Sequence, residues 1–389
     1  MHRGQTVFAQ LFEFVSHYEF QQCVDRYNGN RCVRRLPCWE QFLAMAFAQF
    51  TSRHGLRDIE VSLAAQGSKL YHSGFRHRLK RSTLAEANQQ RDWRIYCDFA
   101  HSLIAEARTL YAEQELGIGL DVTLYALDST TIDLCLNLFP WAHFRRAKGA
   151  VKLHTMIDLR GSIPVFVDIT HGKVHDLRAL DKLVLEAGTY VVMDRAYVGL
   201  KPLYRMQQAA CFFIVRSRQR IQCRRRYSHV IDKNLGVRSD QTIILTGHKS
   251  SLLYPAPLRR VSYYAADIDR RFVFLTNNFT LAAHTVAAMY RSRWQIELFF
   301  KWIKQHLRIK RFYGTSPNAV KTQIWIALSV YVLVAIIKRK LQLPHTPYTI
   351  LQILSLTLFE KIPLLSLFER YLDTTQLHDI SNQLDFFRN

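Results

Sequence analysis

The sequence has 389 residues, with 53 lysines and arginines against 31 aspartates and glutamates, a net charge of +22 and a pI near 9.9. Hydrophobic content of 49% with 12% aromatics excludes a disordered chain, and the length allows two or three domains. The positive excess goes beyond what solubility requires and points to a polyanion or an anionic membrane surface as partner.

The chain opens "MHRGQTVFAQLFEFVSHYEF", with no apolar run followed by small residues, so no signal peptide is expected. The seven cysteines (23, 32, 38, 97, 135, 211, 223) form no CxxC pair and no zinc-ligand spacing, which suggests reduced, mostly buried thiols in a cytoplasmic protein. Residues 1–116 read as helical, with apolar spacing in "WEQFLAMAFAQF" and "IEVSLAAQ" and a basic knot "FRHRLKR" at 75–81. Ser82 or Thr83 then caps a long helix over "TLAEANQQRDWRIYCDFAHSLIAEARTLY", with Glu86 completing a capping box. Helices joined by a basic turn suit a DNA-binding module, although an ordinary helical subdomain has the same pattern.

The period changes after a joint at 115–123. "LYALDSTTIDLCL", "AVKLHTMIDLRGSIPVFVDITHG" and "TYVVMD" read as strands, and "HDLRALDKLVLEAG" between them as a helix capped by Asp176 and ended by Gly188. Strands, a helix and another strand imply a mixed sheet with crossover connections. Asp128 lies inside the first strand and Asp194 ends the last. Aspartate is depleted from strands, so each needs a cap, an arginine or a metal. Asp194 could cap the next turn or pair with Arg195. Two carboxylates on neighbouring strands repel strongly, and a divalent cation such as Mg²⁺ or Mn²⁺, which takes oxygen ligands, resolves that repulsion.

From 211 to about 280 strands continue in "CFFIVRSRQR", "QTIILTG", "RRVSYYAADI" and "RRFVFLTN". Arg216, Arg218 and Arg220 alternate on one strand face, Arg224, Arg225 and Arg226 follow, and no acid intervenes across 216–226. This is either a solvated charge run or a ribbon that tracks phosphates.

Helices return at 281. "YRSRWQIELFFKWIKQHLRIKR", Tyr290 to Arg311, holds one acid, Glu297, among seven lysines and arginines. As one helix it places Tyr290, Arg293, Glu297, Lys301, Lys304 and Arg308 within an arc of about 80°, with Ile296, Phe299, Trp302, Ile303 and Leu307 on the buried side. A Glu297–Lys301 pair explains one contact but not the excess of cations. An acid that holds a metal, flanked by cations that grip phosphates, explains both. The apolar run "IWIALSVYVLVAII" spans 14 residues, short of the roughly 20 needed to cross a bilayer, so it reads as a buried helix and nucleic acid is favoured over a membrane. Leu377, Ile380 and Leu384 near the end have helical spacing and offer a surface for pairing.

Tyr290, Arg293, Glu297 and Lys304 have Y-(2)-R-(3)-E-(6)-K spacing, preceded by "LDST" at Asp128 and "MDRAY" at Asp194. In these motifs the chain resembles DDE transposases of the insertion-sequence-four-like family over about 120–310. The resemblance implies an α/β fold: an RNase H-like mixed-sheet core at 119–310 with a β-rich insertion at about 211–280. A helical DNA-binding domain (1–116) and a C-terminal helical region (311–389) flank it. The resemblance also implies cut-and-paste transposition, with Asp128, Asp194 and Glu297 holding two Mg²⁺ ions about 4 Å apart, Mn²⁺ substituting. A freed 3′-OH attacks the opposite strand to give a hairpin, which water opens, and then attacks target DNA. Tyr290, Arg293 and Lys304 contact phosphates and Trp294 stacks on an unpaired base, while Lys301, Arg308, Arg216, Arg218 and Arg220 grip the backbone.

The partners implied are the element's terminal inverted repeats and a target duplex, bound by two chains in the bacterial cytoplasm on nucleoid DNA, with no membrane. His175 and Asp176 are weaker matches, equally explained by a turn and a helix cap. A nuclease or resolvase that never joins ends, and an inactive DNA-binding derivative, are alternatives on the same residues.

Overall fold

Leu124–Leu127, Tyr190–Met193 and Phe213–Val215 are buried throughout, as strands covered on both faces must be. In the computed structural model, which describes residues 4–145, 148–217, 221–307 and 312–375, they form the centre of a ten-stranded sheet. In chain order the strands are β1 (Leu124–Leu134), β2 (His143–Arg145), β3 (Lys148–Asp158), β4 (Ile163–His171) and β5 (Tyr190–Met193). There follow β6 (Phe212–Arg216), β7 (Cys223–Ser228), β8 (Val237–Leu245), β9 (Leu258–Ala265) and β10 (Arg270–Thr276). Their spatial order is β2-β3-β1-β5-β6-β10-β9-β8-β7, with β4 also paired to β3. Only β1-β5-β6 are parallel; the other pairings are antiparallel. The β-rich stretch after 211 therefore makes no sheet of its own, because β10 adds directly to β6. At the β3–β4 turn Gly161 has φ +79°, and a Cβ there would meet the Tyr111 ring at 2.3 Å, so only glycine fits.

The chain divides into two compact units, Tyr111–Lys301 and Met1–Leu110 with Trp302–Asn389. In the first, one face of the sheet buries Leu127, Met193, Val215 and Leu275 in a core shared with Leu203 and Met206 of the Leu200–Gln208 helix. The helix Ala283–Ser292 packs on β5, β6, β8 and β9, burying Val286, Met289 and Tyr290. Its approach is pinned by a buried ion pair. Arg259 Nε and Nη2 donate to Asp240 at 2.9 and 2.7 Å, and Nη1 donates to the Leu281 carbonyl at 2.6 Å. Each side chain is 5% exposed, so removing one partner strands a buried charge. Asp240→Ala is expected to cost about 3–5 kcal/mol in urea unfolding; a loss under about 1 kcal/mol would mean that water reaches Arg259.

In the second unit, Pro317–Lys340 is, among the described residues, the one helix long and apolar enough to span a bilayer. Its apolar window is 94% buried, packed on helices Cys38–Phe50, Arg81–Gln90 and Arg94–Leu110, as the buried reading expected. The basic knot at 75–81 buries Phe75 and Leu79 and exposes Arg76, Arg78, Lys80 and Arg81.

Several local expectations are corrected. The helix starts two or three residues earlier than expected, at Arg81, with Lys80 at its N-cap and no side-chain cap bond, so the Ser82/Thr83 capping box is not made. The long helix is two, broken where Arg91 turns extended and Asp92 accepts the Arg94 amide at 2.9 Å. The helix after Asp176 is only Leu177–Leu180, and Asp176 caps nothing. All seven cysteines are free, but only Cys23, Cys38 and Cys211 are buried, while Cys32 and Cys135 are exposed. Leu377, Ile380 and Leu384 lie outside the described residues.

Candidate active site

Register places the carboxylates. Leu127 pairs with Met193 and Met193 with Val215 on the three parallel strands. The next residue on each chain segment is Asp128, Asp194 or Arg216, so these three stand level at the carboxyl edge. Because side chains alternate, all three point away from the Leu203 core and toward the face carrying Ala283–Ser292. That is where ligands gather in open α/β sheets.

The basic stretch at 290 is not one helix. It comprises Ala283–Ser292 and Trp294–His306, joined through Arg293, which keeps helical angles. Tyr290 consequently does not face outward. It is 8% exposed, its ring 4.6 Å from that of Phe274, and its hydroxyl reaches Asp194 Oδ1 at 3.4 Å. Ile296, Phe299, Ile303 and Leu307 are buried as expected.

Arg293 is the centre of the site. Its Nη2 donates to Glu297 Oε1 at 2.6 Å and its Nη1 to Asp128 Oδ2 at 3.3 Å, with 14% of the side chain exposed. The guanidinium carbon lies 5.6 Å from the Tyr290 ring centroid. Asp128 Oδ1 also accepts the Ser129 amide at 2.8 Å. Burial pushes the Asp128 carboxyl up to about 6; Glu297 and Asp194 add to that rise, while the Ser129 amide and Arg293 oppose it. Asp194 occupies the N-cap position of the turn Arg195–Tyr197 but makes no cap bond, and among the described residues it has no ion-pair partner.

Arg216 belongs to this face as well. Its guanidinium packs over Phe272 at 5.2 Å, close enough to Tyr290 to act on its hydroxyl. Arg218, Arg220 and Arg308 lie outside the described residues. Trp294 is 50% exposed at the start of its helix, Lys301 is exposed and Lys304 half-buried, one and two turns beyond Glu297.

Asp176 has a different role from the one read in the sequence. Its Oδ1 accepts Ser129 Oγ at 2.6 Å and Lys152 Nζ at 3.3 Å, with the buried His154 Nδ1 at 3.6 Å. This braces the strand next to Asp128. The sequence expectations give Lys152 no role, though a lysine inside the apolar run "AVKLHTMID" is itself a local anomaly.

Oxygen ligands without nitrogen or sulfur suit a hard divalent cation, and three carboxylates exceed the one charge of Arg293. The carboxylates are not drawn tightly together. Among the described residues the one group of three such side chains with ligand atoms within 4.8 Å is Cys97, Asp98 and His101, where Asp98 is already held by Arg26 and Tyr27. In the candidate site, the guanidinium of Arg293 lies between Asp128 and Glu297 and donates to both.

A sheet of this order with acids at adjoining strand ends and on a following helix is the frame of enzymes that act on phosphodiesters. A profile described as "Transposase DDE domain" matches residues 121–333, over half of the chain, and one described as a domain of unknown function matches residues 3–76. The chain belongs to the DDE-domain transposases: it has an RNase H-like core and is an enzyme acting on DNA, in a family that uses divalent metal ions.

It is 32% identical over 260 residues to the Sinorhizobium fredii protein named transposase y4zB, covering 66% of this chain and 71% of that one. It is 32% identical over 212 residues to the Geobacillus stearothermophilus protein named for insertion sequence element IS5377, covering 54% and 55%. Identity is 23% over 263 residues, or 66% and 71%, with the Synechocystis protein named for insertion sequence element IS4SA.

Proposed function

We propose that the chain excises and inserts an insertion sequence as an insertion-sequence-four-like transposase, with Tyr290, Arg293, Glu297 and Lys304 as its signature and Asp128, Asp194 and Glu297 as metal ligands. The observation that carries this reading is the level placement of Asp128 on β1 and Asp194 just past the end of the adjoining parallel β5, with Glu297 tied to Asp128 through Arg293. Asp128, Asp194 and Glu297 would hold a divalent ion, Mg²⁺ with Mn²⁺ substituting, which when bound would activate the attacking oxygen and offset charge at phosphorus.

The chain's own residues do the rest. Arg293 offers a planar fork to a phosphate beside the scissile bond, and Arg216 a second cation on the same face. Tyr290 buttresses the Arg293 stem, and the half-exposed face of Trp294 stacks an unpaired base. Lys301 and Lys304 continue the contact along the duplex. Each in-line displacement breaks one bond at phosphorus as another forms, so strand transfer to a 3′-OH needs no external energy source. The exposed arginines of the 75–81 knot read the terminal inverted repeats. Two chains pair on DNA, in the bacterial cytoplasm, once phosphates neutralise the +22 charge that keeps free chains apart.

The test is a duplex carrying the element's termini, incubated with the protein, a plasmid and Mg²⁺ or Mn²⁺. Nicking at the ends followed by joining to the plasmid is expected, abolished by EDTA, with at least two chains per complex by light scattering. Nicking without joining would replace this reading with a nuclease.

A further inference from the structure

On the sheet face opposite the carboxylates, strands β6 to β10 border a trough of about 830 Å³. Its position follows from register. Val215 pairs with Leu275, Leu275 with Arg260, and Arg260 with Gln241. Laterally paired residues share a face, so Arg260 and Gln241 lie on the side of Leu127, Met193 and Val215. Asp128, Asp194 and Arg216 each lie one residue further and point the other way. In the next row Ser239, Ser262 and Val273 pair, and Arg271 pairs with Tyr264 beyond them.

The trough has an apolar floor and hydrogen-bonding walls, and among the described residues no aspartate or glutamate lines it. Three arginines line it: Arg216 at its rim, with its guanidinium turned over Phe272, and Arg260 and Arg271, which are held by neutral groups. Arg260 donates Nη2 to Gln241 Oε1 at 2.6 Å and Nη1 to Cys223 Sγ at 3.4 Å, and Arg271 donates Nε to Ser262 Oγ at 2.9 Å. Among the described residues neither meets a carboxylate. Such partners aim a guanidinium without spending its charge, which leaves further N–H donors for an anion. Arg271 stands four residues along β10 from Leu275, the partner of Arg260, so the two cations are about 13 Å apart along the strands. That spacing suits a run of backbone phosphates rather than one small anion.

We infer that this trough binds the phosphodiester backbone of a second DNA segment, separate from the strand held at the carboxylates. The inference rests on the carboxylate face being the cutting face. Two sources share this chemistry, a target duplex and a remote part of the element's end; the target is the source taken here, its flanking backbone lying in the trough while the attacked phosphate reaches the carboxylates.

The experiment compares the full-length protein with Arg260→Gln/Arg271→Gln. Anisotropy of a labelled duplex lacking the terminal repeats, titrated with salt, should show the log–log slope reduced by about 2, since each lost phosphate contact removes about 0.9. Transfer of pre-cut ends into plasmid should fall at least about tenfold, while nicking of the terminal duplex stays within about twofold. The single variant Arg271→Gln changes an exposed side chain that the core does not need, and should lower the slope by about 1.

An unchanged slope in both variants overturns the site. Equal losses of nicking and transfer assign the trough to the element's end and overturn the second segment. Competition by inorganic pyrophosphate as effective as by duplex shows a single-anion pocket and overturns it too. The slope needs no catalysis, so a wild-type protein that never nicks refutes the cutting face and leaves the trough measurable.

Discussion

Asp128→Asn, Asp194→Asn and Glu297→Gln are each expected to lower single-turnover nicking of terminal DNA by at least about a thousandfold, with end binding within about twofold. Each substitution keeps the shape and removes one carboxylate charge from a face where Arg293 is shared between two of the three acids. Asp128 gives the expectation a second, independent readout. Its folded carboxyl sits near 6, above the ordinary value of about 3.9, so the fold prefers the protonated form. Charging it therefore costs stability: nothing below about pH 3.9, an increasing amount from there to 6, and the full amount above. In EDTA, Asp128→Asn should be more stable than wild type at pH 7.5, by on the order of 3 kcal/mol, and equal to it near pH 4. A variant that is dead and less stable at pH 7.5 would mean that the carboxylate is there for packing. Substantial nicking by any of the three would remove that residue from the set.

What the sequence discloses about this site depends on the range of the interaction. Asp128 and Asp194 stand out because strands seldom carry aspartate, and Glu297 because a helix of cations seldom carries one acid. Those are local anomalies, visible in ten residues. The alternation of apolar residues likewise announces β1, β3, β4 and β5 and the mixed sheet. The rest is set by contacts across the fold. Tyr290 reads as outward from helical angles alone, but Phe272 and Phe274 on β10 cover it. Asp176 has the spacing of a cap, yet Ser129 and Lys152 claim its carboxylate from 47 and 24 residues away. Arg216 reads as one of an alternating basic row, and only the pairing of Met193 with Val215 brings it level with the aspartates. Arg260 and Arg271 belong to strands whose sequences look ordinary, and their trough exists only once β8, β9 and β10 are in register.

Arg293→Ala is expected to have two opposed effects, and their combination tests why a cation sits among the carboxylates proposed to hold the metal. The guanidinium lies 2.6 Å from Glu297 and 3.3 Å from Asp128, and among the described residues it is the ion-pair partner of both. Two charges about 4 Å apart interact by about 4 kcal/mol at the effective dielectric of a partly buried surface. A divalent ion entering the wild-type site must share the carboxylates with that charge. Without it, Mn²⁺ affinity by calorimetry should rise about tenfold or more, while the metal-free protein unfolds earlier because three acids face one another uncompensated. Nicking should nonetheless fall by about a hundredfold or more, because the bidentate fork for the phosphate is gone. Arg293→Lys separates the two roles. It returns the charge and should bring Mn²⁺ affinity and stability back toward wild type, but a point charge cannot grip two phosphate oxygens in one plane, so most of the nicking defect should persist. Wild-type nicking by Arg293→Ala with unchanged Mn²⁺ affinity would reduce the guanidinium to a spectator. Full rescue by lysine would leave charge, and not the fork, as what the phosphate requires.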